Sequence, residues 1–318
     1  MMSELGGARA HAGMLLWALL VGLSFPAVGL MSEGLPPLLL TAIRFMIAAL
    51  ALWPLVRHAP SLRPGRAGLL LYALMGLCLT GFFGAMFWAA HRASAVSMAT
   101  LFVSVPLLAY CLGLALRVER LAWRLPSILL LGALGALALA WAESGGDWAA
   151  LRFGRGEAVF FVGCIASALY PVLSKWGLER GWLSASAGVR TFWSLALGGA
   201  LIALAGLARG GAAELARLTL GDALVLVYLG LFSSGLTFWL QQRATAVLTP
   251  GAVTAYSYLV PFVSMLLLFV REPQQLDWTW LPGSLLVILA IALLLRRDVT
   301  QRRAAAARNN STASPGRG

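Results

Sequence analysis

The stretch "ATAVLTPGAVTAYSYLVPFVSMLLLFVRE", residues 244–272, decides the fold. It is almost wholly apolar over about 26 residues, long enough to cross a hydrocarbon core of roughly 30 Å at about 1.5 Å per residue, and it reads as a membrane helix. Pro250 and Pro261 interrupt it, and the hydroxyls of Thr249, Thr254, Tyr256, Ser257 and Tyr258 gain nothing from lipid, so its polar side points inward. The layout recurs in "AAHRASAVSMATLFVSVPLLAYCLGLALRVER", residues 89–120. Seventeen positions separate Ala89 from Pro106, as they do Ala244 from Pro261, and each stretch closes on a glutamate, Glu119 or Glu272. The register holds at the prolines and slips at the glutamates. One unit occurs twice.

With 60% hydrophobic and 11% charged residues and a mean hydropathy of +0.84, the 318-residue chain departs from soluble globules, in which about 25% of residues are charged. It is an integral membrane protein. The net charge of +12 would suggest nucleic acid in a soluble protein, but here the basic residues punctuate apolar runs, as loops between spans do, and nucleic-acid binding is excluded. Cys78, Cys111 and Cys164 all fall within apolar runs and form no Cys-x-x-Cys pair, so neither disulfides nor zinc is indicated. The apolar run after Arg9 lacks a clean small-x-small cleavage site and many spans follow it, which favours an uncleaved first helix over a signal peptide.

Ten apolar runs follow one another: 12–31, 35–56, 67–88, 93–116, 121–141, 156–176, 185–207, 220–240, 244–270 and 278–295. Ten spans leave both termini on one side. Of the 24 basic residues, only Arg92, Arg152, Arg155, Arg209, Arg217 and Arg271 fall on the opposite side, and Arg44 and Arg190 lie inside spans, so the bias places both termini in the cytoplasm. Residues 143–155 form the longest mid-chain hydrophilic connection and separate five spans from five. An odd number per half forces the two halves to insert with opposite orientation, an inverted repeat. Further pairs agree: Pro26 in "GLSFPAVGL" with Pro171 in "SALYPVLSKWGL", Arg44 in "PPLLLTAIRF" with Arg190 in "SASAGVRTF", and "GFFGAMFWAA" with "GLTFWLQQRA". The last stretch, residues 298–318, is basic and small and reads as a disordered tail.

Ten spans in two five-span repeats, a proline near the end of spans one and six, an arginine in spans two and seven, and the Ala-x-x-x-x-(small)…Pro…Glu-Arg pattern resemble the EamA-type branch of the drug/metabolite transporter superfamily. The resemblance covers Gly13 to Leu295, with one departure, Pro273 in place of arginine after Glu272. It implies an all-α membrane carrier in the bacterial inner membrane, with repeats at 12–142 and 156–297. Its expected action is export of amino acids, related metabolites or drugs by alternating access around a site walled by spans one, three, four, six, eight and nine. An amphipathic or lipid-linked substrate is the alternative within transport, and a membrane scaffold the alternative outside it.

A charge at mid-span costs about 2.5–3.5 kcal/mol on insertion scales, so Arg44 and Arg190 are expected to face the interior, where a guanidinium can hold a carboxylate or phosphate bidentately. The bland alternative for each is pairing with helix-end carbonyls. Interior prolines free backbone carbonyls, and Pro26, Pro106, Pro171 and Pro261 are the expected hinges. Small hydroxyl stripes run along span four (Ser97, Thr100, Ser104), span nine (Thr254, Ser257, Ser264) and span six (Gly163, Ser167, Tyr170, Ser174), a pattern that more often means close helix packing than ligand contact. The expected substrate-binding set is Trp17, Ser24, Arg44, Trp88, Ser97, Ser104, Tyr110, Tyr170, Arg190, Trp239, Tyr256 and Tyr258; Trp193 is a further cavity candidate. Trp53, Trp123, Trp141, Trp148, Trp176, Trp182, Trp278 and Trp280 read as interface anchors. Carboxylates fall in loops or at span ends, there is no His-Glu-x-x-His and no Gly-x-Ser-x-Gly, and no cofactor, metal or catalytic residue is expected. The expected partners are a small-molecule substrate and the lipid bilayer, with room for a homodimer.

Overall fold

The computed structural model describes residues 2–143, 145, 154–271 and 278–312. Trp148, Glu272, Pro273 and most of the mid-chain connection lie outside the described residues. Ten helical segments are long and apolar enough to cross a membrane: Gly6–Val28, Pro37–Val56, Arg66–Ala89, Ser97–Ala115, Arg124–Glu143, Arg155–Glu179, Ala187–Ala208, Leu220–Val247, Pro250–Leu267 and Trp278–Gln301, here spans 1 to 10. There is no strand among the described residues.

Several spans are composite, and the chain chemistry explains where they divide. The helices are α1 (Met2–Val28), α2 (Pro37–Val56), α3 (Arg66–Ala89), α4 (Ala95–Phe102), α5 (Val105–Ala115), α6 (Arg124–Glu143), α7 (Arg155–Glu179) and α8 (Ala187–Ala208). They continue as α9 (Leu220–Tyr228), α10 (Thr237–Val247), α11 (Pro250–Thr254), α12 (Leu259–Arg271) and α13 (Leu281–Thr312). Residues 244–272 are therefore not one helix. Ala244–Val247 finishes α10, and Thr249 sits extended at ψ 156°, because the ring of Pro250 disfavours the helical region in the residue before it. Pro250 itself starts α11, where its missing N–H costs nothing. A 3₁₀ turn, Ala255–Tyr258, then separates α11 from α12. Span 4 is broken at the corresponding place, between Phe102 and Val105, with Pro106 in the first turn of α5. The helix of span 10 runs on to Thr312, across most of the segment expected to be a disordered tail.

Packing follows the repeat. Span 3 packs on span 6 and span 8 on span 1; span 4 on span 6 and span 9 on span 1; span 3 on span 7 and span 8 on span 2. Each pair is exchanged for the other when the halves are swapped. Spans 2 and 7, 5 and 10, and 4 and 9 pack with their own counterparts. Small residues permit the closest approaches, as van der Waals packing rather than water drives helix association in lipid. A Cβ on Gly76 would lie 2.8 Å from the Gly198 nitrogen, and one on Gly135 2.8 Å from the Val287 nitrogen. The six inner spans, 1, 3, 4, 6, 8 and 9, stand between the 2–7 pair and the 5–10 pair.

Candidate functional site

The two ends of the inner bundle differ. Phe82 to Trp88 are seven consecutive partly exposed residues. Seven residues cover every face of a helix, so α3 is only partly covered all round here, even though Phe82, Phe83, Met86 and Phe87 pack against neighbouring apolar clusters. Met98–Phe102 in α4 and Pro261–Ser264 in α12 are partly exposed too, and Phe25 near the end of α1 is 60% exposed. These segments all lie at the end of the bundle where spans 1, 3 and 9 finish and span 4 begins. At the opposite end, Pro250–Val260 are buried without a break. Helix α7 packs on α10 and on α11 there, with no comparable packing of span 1 on span 3 or of span 4 on span 1 among the described residues. The two halves are packed tightly together at one end of the bundle and more loosely at the other.

A buried polar network closes the tightly packed end. Arg190, with no exposure, donates through Nε to Gln242 Oε1 (3.0 Å), through Nη2 to the Gln242 carbonyl (2.7 Å), and through Nη1 to the carbonyls of Ser184 and Ala185. Gln242 Nε2 donates to Tyr170 Oη at 2.8 Å, and Ser174 Oγ donates to Gln242 Oε1 at 2.6 Å. Tyr170 also shares a 2.9 Å hydrogen bond with Ser194. A guanidinium in an apolar bundle is tolerable only when its donors are met, and the carbonyls of Ser184 and Ala185, in the connection just before α8, together with Gln242 meet them. Spans 6, 7 and 8 are thus tied together, and Arg190 spends its donors on the protein.

Its repeat counterpart is placed otherwise. Arg44 Nη2 donates to Ser233 Oγ (3.1 Å) and Ser234 Oγ (3.3 Å), while its Nε is buried without a hydrogen-bond partner. Both serines sit in a π-helical segment, Leu229–Leu236, that joins α9 to α10. A π-turn carries an extra residue per turn and re-aims side chains, which is why such turns gather at functional sites. Here Gly230 permits the approach, since a Cβ on it would lie 2.7 Å from Ile47. Beside Arg44, Phe45 meets Phe83 and Phe238 edge to face, at centroid distances of 5.4 and 5.7 Å. The result is a cation with spare donor capacity, two hydroxyls and an aromatic wall.

The other expected site residues divide between the two ends. Ser24, Trp88 and Ser104 lie in or next to the partly exposed segments; Ser24 and Ser104 turn their hydroxyls back to the carbonyls of Val21 and Leu101. Trp88 carries the Arg92 guanidinium at 4.3 Å and Trp239 that of Arg243 at 5.4 Å. Ser97 is buried beside the Ser94 cap of α4, and Trp17 packs against the core shared by spans 1, 4, 5, 8, 9 and 10. Tyr110, Tyr170, Tyr256 and Tyr258 are all buried at or near the closed end; Tyr110 Oη accepts from the Ala122 N–H, Tyr256 Oη meets His11 Nδ1 at 2.7 Å, and Tyr258 packs on Gly132. Trp193 donates to the Leu62 carbonyl and stacks on Tyr72, a tie between span 7 and the loop before span 3. Of the four prolines, Pro106 stands at the start of α5 and Pro261 in the first turn of α12, each just past a break, whereas α1 and α7 continue through Pro26 and Pro171. Trp123 and Trp278, each 83% exposed, mark span ends.

A family model matches residues 8–141 and again 154–296, under the description EamA-like transporter family. The chain belongs to this family. The double match falls on the two packed halves, so the EamA-like repeat is the structural repeat. The chain is a multi-pass membrane protein of transporter type. Among 29 solved chains that match, one protein crystal structure covers 92% of this chain and 98% of its own at 22% identity, with a TM-score of 0.74, a likeness of fold. None of the curated proteins matches this chain.

Gln242, Ser233, Ser234, His11 and Asp298 stand in these networks without belonging to the set expected from sequence. Consecutive Gln241 and Gln242 in an otherwise apolar span were a readable signal, because an amide in lipid needs a partner. The serine pair was readable only with the π-turn that aims it at Arg44.

Proposed function

We propose that this chain is a small-molecule exporter of the bacterial inner membrane, with both termini cytoplasmic, working by alternating access between its two inverted halves. The observation that carries this reading is the one-sided closure of a repeat-paired bundle. Spans 1 and 6 are counterparts, yet 22% of an 18-residue apolar window of span 1 and 56% of one of span 6 is buried; the windows of spans 4 and 9 differ in the same sense, at 33% and 67%. A symmetric channel has no reason to treat counterparts so differently, whereas a carrier held at one end of its cycle does. With the charge bias of the loops, the open end faces outward and the Arg190 network faces the cytoplasm. Arg44 with Ser233 and Ser234 is the substrate anchor and takes an anionic group, the carboxylate of an amino acid or related metabolite.

The test is efflux of labelled amino acids from vesicles containing the purified protein, against Arg44→Ala and Arg92→Ala. Export that falls at least tenfold in Arg44→Ala, about 1.4 kcal/mol of lost interaction, and persists in Arg92→Ala supports the assignment. Normal export by a folded Arg44→Ala protein removes it. A second reading, movement of an amphipathic or lipid-linked substrate, is favoured by the aromatic side chains at the open end, Phe82, Phe83, Phe87, Trp88 and Phe102, all partly exposed. Translocation of a fluorescent lipid across the same vesicles, with no amino acid export, selects it.

A further inference from the structure

His11 lies in the first turns of span 1, 5% exposed, between a buried tyrosine and a partly buried aspartate. Its Nδ1 is 2.7 Å from Tyr256 Oη, and its Nε2 is 3.1 Å from Asp298 Oδ2 on α13. The side chains of His11 and Asp298 are 7% and 13% exposed, and Arg297 Nη1 stands 3.8 Å from the other Asp298 oxygen. Tyr256 has no exposure and belongs to the 3₁₀ turn that breaks span 9 at the closed end. Three spans far apart in sequence, 1, 9 and 10, meet in this cluster. Neither the Arg190 network nor the Arg44 anchor uses it.

The chemistry of the two ring nitrogens fixes how it responds to a proton. An ionised carboxylate only accepts, so Nε2 carries the hydrogen toward Asp298. In the neutral ring Nδ1 is then an acceptor, and Tyr256 donates its hydroxyl to it. A proton arriving at Nδ1 forms an N–H bond there and breaks none. Both nitrogens now donate, so Tyr256 Oη must turn from donor to acceptor and direct its own hydrogen elsewhere. Next to it in the turn, Ser257 Oγ and Tyr258 Oη are buried with no hydrogen-bond partner, so a reorganised turn has polar groups to recruit. Arg297 already balances Asp298, Arg9 on α1 is exposed, and Arg243 on α10 is exposed and stacked on Trp239. The π-helical segment and the described side chains of α12 bring no ionisable group.

We propose that His11, held between Asp298 and Tyr256, is a proton-binding site whose protonation reorganises the 3₁₀ turn of span 9 and so loosens the closed end. Histidine is the side chain whose ordinary titration falls in the physiological range, and a site at the cytoplasmic end samples cytoplasmic pH. The link from turn to opening rests on the transport reading; the proton site itself does not, and its test needs no substrate.

Two measurements on the full chain in nanodiscs decide it. With ¹⁵N-labelled histidine the three imidazoles are resolved and His11 is assigned by His11→Gln. Spectra are recorded from about pH 8 to about pH 5, and acidification is expected to convert the Nε2–H tautomer of His11 to the doubly protonated ring. Amide hydrogen exchange over residues 249–262, corrected for intrinsic chemistry, is expected to rise on acidification in the unaltered protein and to lose that response in His11→Gln and in Tyr256→Phe. Tyr256→Phe keeps the His11 ring and its Asp298 partner, so it separates proton binding from its consequence, and it serves alone if His11→Gln fails to fold. A His11 whose protonation is unchanged across the range, or an exchange response that survives in Tyr256→Phe, overturns the proposal.

Discussion

Arg190 and Glu119 show what a buried charge demands. Gln242 is shared by Arg190, Ser174 and Tyr170, so Gln242→Leu strips three buried groups of partners at once. Loss of a partner from a buried charge costs about 3–5 kcal/mol, and the thermal midpoint in detergent is expected to fall well below that of Gln241→Leu, whose side chain is half-buried and outside the network. An equal midpoint for the two variants would show the network to be idle. Glu119, beyond the end of span 4, is 6% exposed and accepts the Gly251 N–H at 2.9 Å. Burial raises its pKa above the ordinary glutamate value, despite the Gly251 N–H and the nearby charges of Arg297 and Lys175. The fold therefore favours the protonated acid: that stability is complete below the ordinary glutamate range and is lost as pH rises through the raised value. Midpoints of the unaltered protein are expected to decline across that window, and those of Glu119→Gln, which still offers an oxygen to Gly251, to stay level. The sequence made both arginines visible as charges in apolar runs. It did not separate them, because what distinguishes Arg190 from Arg44 is the neighbour each meets, a glutamine and two carbonyls or a pair of serines in a π-turn.

At the scale of elements, the prolines told most of the story. Pro106 and Pro261 in equivalent positions gave the repeat, and the breaks in spans 4 and 9 lie beside them. The helix boundary at Leu248–Thr249 was hidden inside an unbroken apolar run, where hydropathy carries no punctuation and only the effect of Pro250 on its predecessor marks the turn. The reach of α13 to Thr312 was hidden too, since alanine- and arginine-rich sequence suits a solvated helix as well as a coil. Glycine carries the crossings. Span 3 meets span 7 at Gly76 and Gly198, backbone to backbone, so Gly76→Val has to push two helices apart. A loss of about 1–3 kcal/mol is expected, read as a lower thermal midpoint and poorer recovery of folded protein. Gly84→Val, with nothing within 4 Å of the added carbon, is the control that should leave both unchanged.

For the whole molecule, the inverted repeat followed from counting five spans on each side of one hydrophilic connection, and the double family match lies on the same two halves. Which end is closed was beyond the sequence, because both halves carry the same proline and arginine marks. The difference lies in long-range packing, α7 on α10 and α11, and in eleven consecutive buried residues, Pro250–Val260. The most direct test is cysteine accessibility in a background with Cys78, Cys111 and Cys164 replaced, using a membrane-impermeant thiol reagent added outside intact cells. Single cysteines at Ser24 and Phe87 are expected to react and those at Ser174 and Ser257 to stay protected. Reaction at Ser174 and Ser257 with protection at Ser24 and Phe87 would contradict a bundle open at the outer end and sealed by the Arg190 network.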